Sequence, residues 1–245
     1  MRIHYVQHVP FENPGFILTW AQKHGWGLTG TLLYDYPAGG VPFPLIRDFD
    51  WLVIMGGPMN VYEEAEYPWL AEEKVFIKHA ADKGKVIIGL CLGAQLLACV
   101  LGGKVTRNPH KEIGWLPVSL SPEARSSPLF SFLPEKPLVF QWHGDTFSTL
   151  PPEAVLLAES EACKNQAFMY RDRVFAFQFH LENTREIIQA LADNCGEDLA
   201  GGRYVQTREE LLSHPEHVAQ DNRWMDEFLS RLESRYAKEA GQWNR

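Results

Sequence analysis

Apolar residues follow two rhythms along this chain. Short runs of strand length (Ile3–Gln7, Thr31–Tyr34, Asp50–Met55 and Lys85–Gly89) alternate with stretches of helical spacing. The first helical stretch runs from about Pro14 to His24 and stops at Gly25. The second, Pro68–Lys83, opens on proline, carries Leu70, Val75, Phe76, Ile77 and Ala80 as an apolar stripe, and closes at Gly84. A third, Cys91–Leu101, is compact and apolar and ends at Gly102-Gly103. Alternation of this kind predicts βαβ units and a parallel sheet. The unbroken apolar run Val86–Leu90 predicts a strand covered on both faces.

From about Trp115 the pattern changes. Trp115–Leu120, Pro137–Trp142, Ala154–Ala158, Ala167–Tyr170 and Val174–Phe179 follow closely with turns between them, which predicts antiparallel additions at the sheet edge. Thr184–Asn194 reads as another helix, and the residues beyond Gly201-Gly202 are polar and helix-prone. The expected fold is α/β: a flavodoxin-like, three-layer, doubly wound, mostly parallel sheet with antiparallel edge strands. Residues 1–202 are expected to form its domain, and 203–245 a C-terminal helical extension of that domain.

Composition narrows the function classes. The 245 residues are 45% hydrophobic and 22% charged, with a net charge of −8 and no run of Lys or Arg. That balance argues against nucleic acid as partner, since phosphate binding needs a basic footprint. The opening Met1-Arg2-Ile3-His4-Tyr5 lacks the regions of a signal peptide. No apolar stretch approaches the ~18–20 residues that span a bilayer. A cytoplasmic, reducing setting with no membrane partner is therefore expected, and the four cysteines (91, 99, 163 and 195) are expected to be thiols.

One of those thiols has a distinctive setting. Ile88-Gly89-Leu90-Cys91-Leu92-Gly93-Ala94-Gln95 contains Gly-x-Cys-x-Gly at a strand-to-helix junction, the tight turn that lifts a nucleophile above a sheet. The glycines permit close backbone approach, and a thiol at a helix start faces the positive end of the macrodipole, which favours the thiolate. Cys99, Cys163 and Cys195 lack this setting and read as packing or surface. A cysteine nucleophile needs a histidine base with an orienting carboxylate. Among nine histidines, His180 leaves the strand Val174–Phe179 with Glu182 two residues on, so both side chains share a face. Acyl transfer also needs oxyanion donors. The N–H of Gly57, after the strand ending at Met55, and that of Leu92, beside Cys91, are the candidates.

Trp142-His143-Gly144-Asp145 is a further polar cluster, weak on its own because Asp can simply cap a turn. No phosphate-binding or dinucleotide-binding glycine loop occurs. His214 and His217 can share a helix face, but no third ligand stands out and a solvated face is the simpler reading. Neither a metal nor a cofactor is expected. The glutamates at 63, 64, 66, 72 and 73 read as a solvated turn and helix start.

Together these pieces resemble the class I glutamine amidotransferase family, the type with Cys, His and Glu in chain order. The likeness spans about residues 45–195. It rests on Met55-Gly56-Gly57-Pro58-Met59, Gly89-Leu90-Cys91-Leu92-Gly93-Ala94-Gln95, Trp142-His143-Gly144-Asp145 and Gln178-Phe179-His180-Leu181-Glu182. Gln7-His8-Val9-Pro10-Phe11-Glu12 and Glu112-Ile113-Gly114-Trp115 look like a stand-alone bacterial subgroup related to the amidotransferase domain of GMP synthase. The resemblance implies attack of Cys91 on the glutamine amide to give a γ-glutamyl thioester and ammonia. His180 acts as acid and then base, oriented by Glu182, with Gly57 and Leu92 as the oxyanion hole. It assigns Gln95 and the loop with Trp142, His143 and Asp145 to substrate binding. One departure stands out: many members have Pro where this chain has Leu181, which implies altered loop rigidity. The expected ligand is glutamine or a γ-glutamyl small molecule, and a separate synthetase subunit could consume the ammonia. Independent γ-glutamyl peptide or conjugate hydrolysis is the alternative. A non-catalytic binding or regulatory module is a third reading, against which the intact Cys91, His180 and Glu182 argue.

Overall fold

The structure, a computed structural model, describes residues 1–236. Residues 237–245, the end of the expected C-terminal extension, lie outside the described residues. Ten strands form in chain order: β1 (Arg2–Gln7), β2 (Gly27–Leu32), β3 (Trp51–Ile54), β4 (Val86–Leu90), β5 (Lys104–Pro117), β6 (Ser119–Leu120), β7 (Leu138–Thr149), β8 (Val155–Glu159), β9 (Ala167–Tyr170) and β10 (Val174–Phe177). Between and after them come helices α1 (Phe16–Lys23), α2 (Trp69–Asp82), α3 (Leu92–Val100), α4 (Pro122–Ser126), α5 (Arg185–Asn194), α6 (Arg208–Leu212) and α7 (Pro215–Tyr236).

Eight strands make one sheet in the order β2-β1-β3-β4-β10-β9-β8-β6. The run from β2 to β10 is parallel, and β9, β8 and β6 add antiparallel at one edge. Period-two alternation divides each central strand between two cores. Trp51 and Val53 join Ile88, Leu90, Phe175 and Phe177 on the face covered by α1 and α7. Leu52 and Ile54 join Ile87, Val174 and Ala176 on the face covered by α2 and α3. This is the three-layer, largely parallel α/β arrangement that the pattern predicts.

Three details differ from the pattern. The second strand is Gly27–Leu32, and Leu33–Asp35 turns into a 3₁₀ helix. Of the expected strand Trp115–Leu120, Ser119–Leu120 does add at the sheet edge as β6, but Trp115–Pro117 and Leu138–Trp142 do not extend the sheet. They lie in β5 and β7, a separate two-stranded ribbon packed on α5 and α6. Apolar content specifies strands here but not which partner they pair with. On α2, Val75 is 71% exposed while Glu73 is fully buried, the reverse of the apolar-stripe reading.

The long helix α7 has a polar sequence but one apolar stripe. Met225, Phe228, Leu229, Leu232 and Tyr236 are buried in the core shared with α1 and the sheet. At roughly 1.5–3 kcal/mol per buried side chain, that stripe makes α7 integral to the core. Among the described residues no helix is long and apolar enough to cross a membrane.

Candidate active site

Four parallel strands, β1, β3, β4 and β10, deliver their C-terminal ends to one crevice, where open α/β sheets place ligands. β3 ends in Gly56-Gly57, β4 in Cys91, β10 in Gln178–Glu182, and β1 in His8–Glu12. A cleft of about 300 Å³ opens there, with Gly57, Cys91, Gln95, Trp142, His143 and Asp145 among its lining residues.

Cys91 occupies the turn with φ 51° and ψ −107°, outside the regions ordinary residues favour. Its N–H donates to the Phe177 carbonyl at 2.8 Å, and Gly93 N–H donates to the Met55 carbonyl at 3.1 Å. Both flanking glycines are required by contact. A Cβ on Gly93 would stand 2.2 Å from the Ile54 carbonyl oxygen, and one on Gly89 would stand 2.6 Å from that of Gly93. So α3 starts almost against β3, and the thiol is raised where strand becomes helix. Backbone strain of this kind is retained at functional sites.

His180 is held on the crevice floor by its N–H to the Phe140 carbonyl at 2.9 Å. Its Nδ1 lies 2.7 Å from Glu182 Oε1, and both side chains are buried. Burial alone would depress the imidazole, but the Glu182 charge and hydrogen bonds with Cys91 and Glu182 raise its pKa well above the usual histidine value. Cys91 and Glu182 therefore both act on the one imidazole. Leu181 gives a physical outcome for the departure from proline: its backbone N–H donates to Glu182 Oε2 at 3.0 Å. Proline has no N–H to give.

Gln178 and Gln95 complete the surroundings of the sulfur. Gln178 Nε2 approaches Cys91 Sγ at 3.7 Å, and Gln95 Nε2 donates to the Asp145 carbonyl at 3.0 Å and to Gln178 Oε1 at 3.2 Å. The Cys91 thiol faces the Trp142 carbonyl at 3.4 Å. Asp145 Oδ2 accepts from the Tyr62 hydroxyl at 3.0 Å. His143 turns its ring inward: Nδ1 lies 3.0 Å from the Asp145 carbonyl oxygen. Its Nε2 lies 3.1 Å from Glu112 Oε2, an ion-pair distance without hydrogen-bond alignment.

Neither the Gly57 nor the Leu92 N–H is taken up in a turn, loop or cap hydrogen bond. His8 bears on the first. Its Nδ1 meets the Gly56 carbonyl at 2.9 Å and its Nε2 meets both Glu73 oxygens at 3.1 Å, all of it buried. The C=O and N–H of a trans peptide point in opposite directions. Anchoring the Gly56 carbonyl inward therefore aims the Gly57 N–H the other way. Burial opposes charge on His8, but Glu73, the Gly56 carbonyl and Glu12 outweigh it and its pKa is raised.

Several site features are not legible in the sequence. Glu73, which reads there as a solvated helix-start residue, is the buried partner of His8. Tyr62, Arg107 and Lys111 of β5, and Asp198 line the cleft from scattered parts of the chain, and Cys195, which reads as packing or surface, lines it too. From α7, Asn222 Nδ2 donates to the Leu181 and Asn183 carbonyls, each at 3.0 Å, clamping the segment that carries Glu182. The available signal is positional: His8 and Glu12 follow β1, whose C-terminal end opens on the crevice. Glu216 supplies the third member that the His214/His217 pair lacks in the sequence reading, with ligand atoms within 4.8 Å of one another at the start of α7.

Residues 41–194 match the glutamine amidotransferase class-I family. A glutamine amidotransferase-like protein of Salmonella typhimurium, YfeJ, is 33% identical over 238 residues, covering 95% of this chain and 97% of that one. One subunit of the glutamine-hydrolysing GMP synthase of Thermoplasma acidophilum is 34% identical over 134 residues, covering 54% of this chain and 63% of its own. The crystal structure of a glutamine amidotransferase from Thermotoga maritima superposes with a TM-score of 0.82 at 30% identity, covering 94% of this chain and 97% of that one.

Proposed function

The chain belongs to the class I glutamine amidotransferase family, and from that premise we propose that Cys91 attacks the side-chain amide of glutamine. The Cys91 sulfur bonds to the amide carbon while the carbonyl oxygen becomes an oxyanion received by the N–H groups of Gly57 and Leu92. His180 passes its proton to the nitrogen, the C–N bond breaks, and ammonia leaves a γ-glutamyl thioester. His180 then takes a proton from water, which attacks the thioester and releases glutamate and the thiol. Glu182 keeps the imidazole oriented and stabilises its charged form. Gln95 and Asp145 bind the amino-acid end of the substrate, Trp142 walls it, and His143 bears on it through the Asp145 carbonyl.

The observation that carries this reading is the buried His180–Glu182 contact of 2.7 Å beside a cysteine held at positive φ on the β4–α3 turn. A diazo-ketone analogue of glutamine tests it. Mass spectrometry is expected to find one adduct, on Cys91, and none in Cys91→Ser. An unlabelled Cys91 with a confirmed reactive thiol sinks the reading.

A second reading is hydrolysis of γ-glutamyl peptides by the same thioester chemistry. Arg107, exposed at the cleft mouth without an ion pair among the described residues, favours it as a receptor for an additional carboxylate. The T. acidophilum relative, one subunit of its synthase, supports a separate synthetase as the consumer of ammonia. Comparing ammonia release from glutamine with turnover of γ-glutamyl dipeptides, with and without co-purified partners, separates the three.

A further inference from the structure

A second acid beside His180 takes no part in the scheme above. Glu12, on the segment leaving β1, is only 7% exposed, yet its carboxylate has no hydrogen-bond partner among the described residues. Leaving a buried carboxylate unpartnered is costly, so such groups are partnered in nearly every folded protein. Glu12 is among the residues that line the cleft, as are Cys91, Leu191 and Cys195. The fold makes room for it: a Cβ on Gly56 would lie 2.2 Å from Glu12 Oε2 and 3.4 Å from His180 Cε1. The carboxylate thus sits on the imidazole side of the site, where the nitrogen of a scissile amide has to arrive to be protonated.

A carboxamide offers an acceptor oxygen and a donor nitrogen. The oxygen has backbone N–H groups to receive it, whereas the nitrogen has no acceptor in the scheme so far. We propose that Glu12 is that acceptor, a binding site for the leaving nitrogen that hydrogen-bonds the scissile N–H and holds the departing ammonia or primary amine. The proposal rests on Cys91 as nucleophile. Sulfur–carbon bond formation, proton transfer from His180 and C–N cleavage proceed as before, and Glu12 forms and breaks no covalent bond.

Burial pushes the Glu12 pKa up to about 7, against the pull of His180 and His8 and with Glu182 adding to the rise. The groups facing it are His8 on its own segment, His180 and Glu182 after β10, and Cys195 at the end of α5. The accepting carboxylate therefore becomes populated as pH climbs through about 7.

The experiment compares glutamine with glutamate γ-methyl ester, a donor whose leaving group has no N–H, in wild type, Glu12→Gln and Glu12→Leu. Glu12→Leu is expected to lower kcat/KM for glutamine roughly 10- to 100-fold and that for the ester no more than about threefold. In wild type the amide-to-ester ratio rises with pH through about 7. In Glu12→Gln it is flat. Equal losses on both donors, or a ratio that neither variant changes, overturn the inference while leaving the Cys91 reading intact. Failure of the wild type to turn over either donor removes that reading and this one with it. The retained ester activity reports that each variant is folded.

Discussion

At the scale of single residues, the site depends on where protons sit. His180 is buried with Glu182 at 2.7 Å, and its pKa is raised well above the usual value, so the imidazolium is the favoured form. An amide in place of the carboxylate keeps the shape but removes the charge. Glu182→Gln is therefore expected to cut kcat for glutamine by roughly 10²- to 10⁴-fold, with a smaller change in KM. Steady-state kinetics check it, and a loss confined to KM would contradict the orienting role. Leu181 belongs to the same account, because its N–H fills a second lone pair of Glu182.

At the scale of elements, the β4–α3 junction is a tightly constrained joint. Gly93 packs its Cα against the last peptide of β3, and there is no space for a methyl group 2.2 Å from the Ile54 oxygen. The contact is backbone on backbone, so no side-chain rotation relieves it. Gly93→Ala is expected to destabilise the fold by about 2–4 kcal/mol, by the mechanism of core overpacking. Thermal melting reads this directly, and an unchanged Tm would show that α3 can slide away from β3. Sequence pattern reveals the turn because strand, two glycines and helix are contiguous, whereas the peptide that forbids a methyl group there comes from β3, far off in the chain. Apolar character alone does not reveal that Glu73, not Val75, faces inward. Position 73 keeps the spacing of Leu70 and Ile77 on the buried face, and His8, far off in the chain, gives its carboxylate a partner there.

At the scale of the whole molecule, α7 ties the end of the described chain to the floor of the crevice. Asp221 accepts from the Phe140 N–H at 3.1 Å, and Asn222 holds the carbonyls either side of Glu182. Burial drives the Asp221 pKa well above the ordinary carboxylate value, outweighing the Phe140 hydrogen bond. The native state therefore binds this proton more tightly than the unfolded chain, and stability falls as pH rises above the unfolded pKa of ~3.9. Asp221→Asn keeps an acceptor for Phe140 and removes the charge. It is expected to raise stability at pH 8 by roughly 1–2 kcal/mol, a few degrees in Tm, with the gain shrinking toward pH 4. Melting curves across that range check it, and a gain independent of pH would point to packing instead.

The sequence by itself determined the parallel α/β core, because period-two and helical spacing are local consequences of burying one face or two. It also marked Cys91, His180, Glu182, Gly57 and Leu92 as candidates, since each depends on contiguous residues at a strand end. Tertiary structure alone decided the rest. It paired β5 with β7 as a ribbon, since hydrogen-bonding capacity along a strand does not encode its partner. It joined His8, on the segment after β1, to Glu73 of α2, brought Glu12 of that same segment to the cleft, and used Asn222 of the polar-looking C-terminal helix to hold the Glu182 segment. Burial, charge pairing and unmet hydrogen bonds are properties of neighbours in space, and most of these neighbours lie tens of residues apart in the chain.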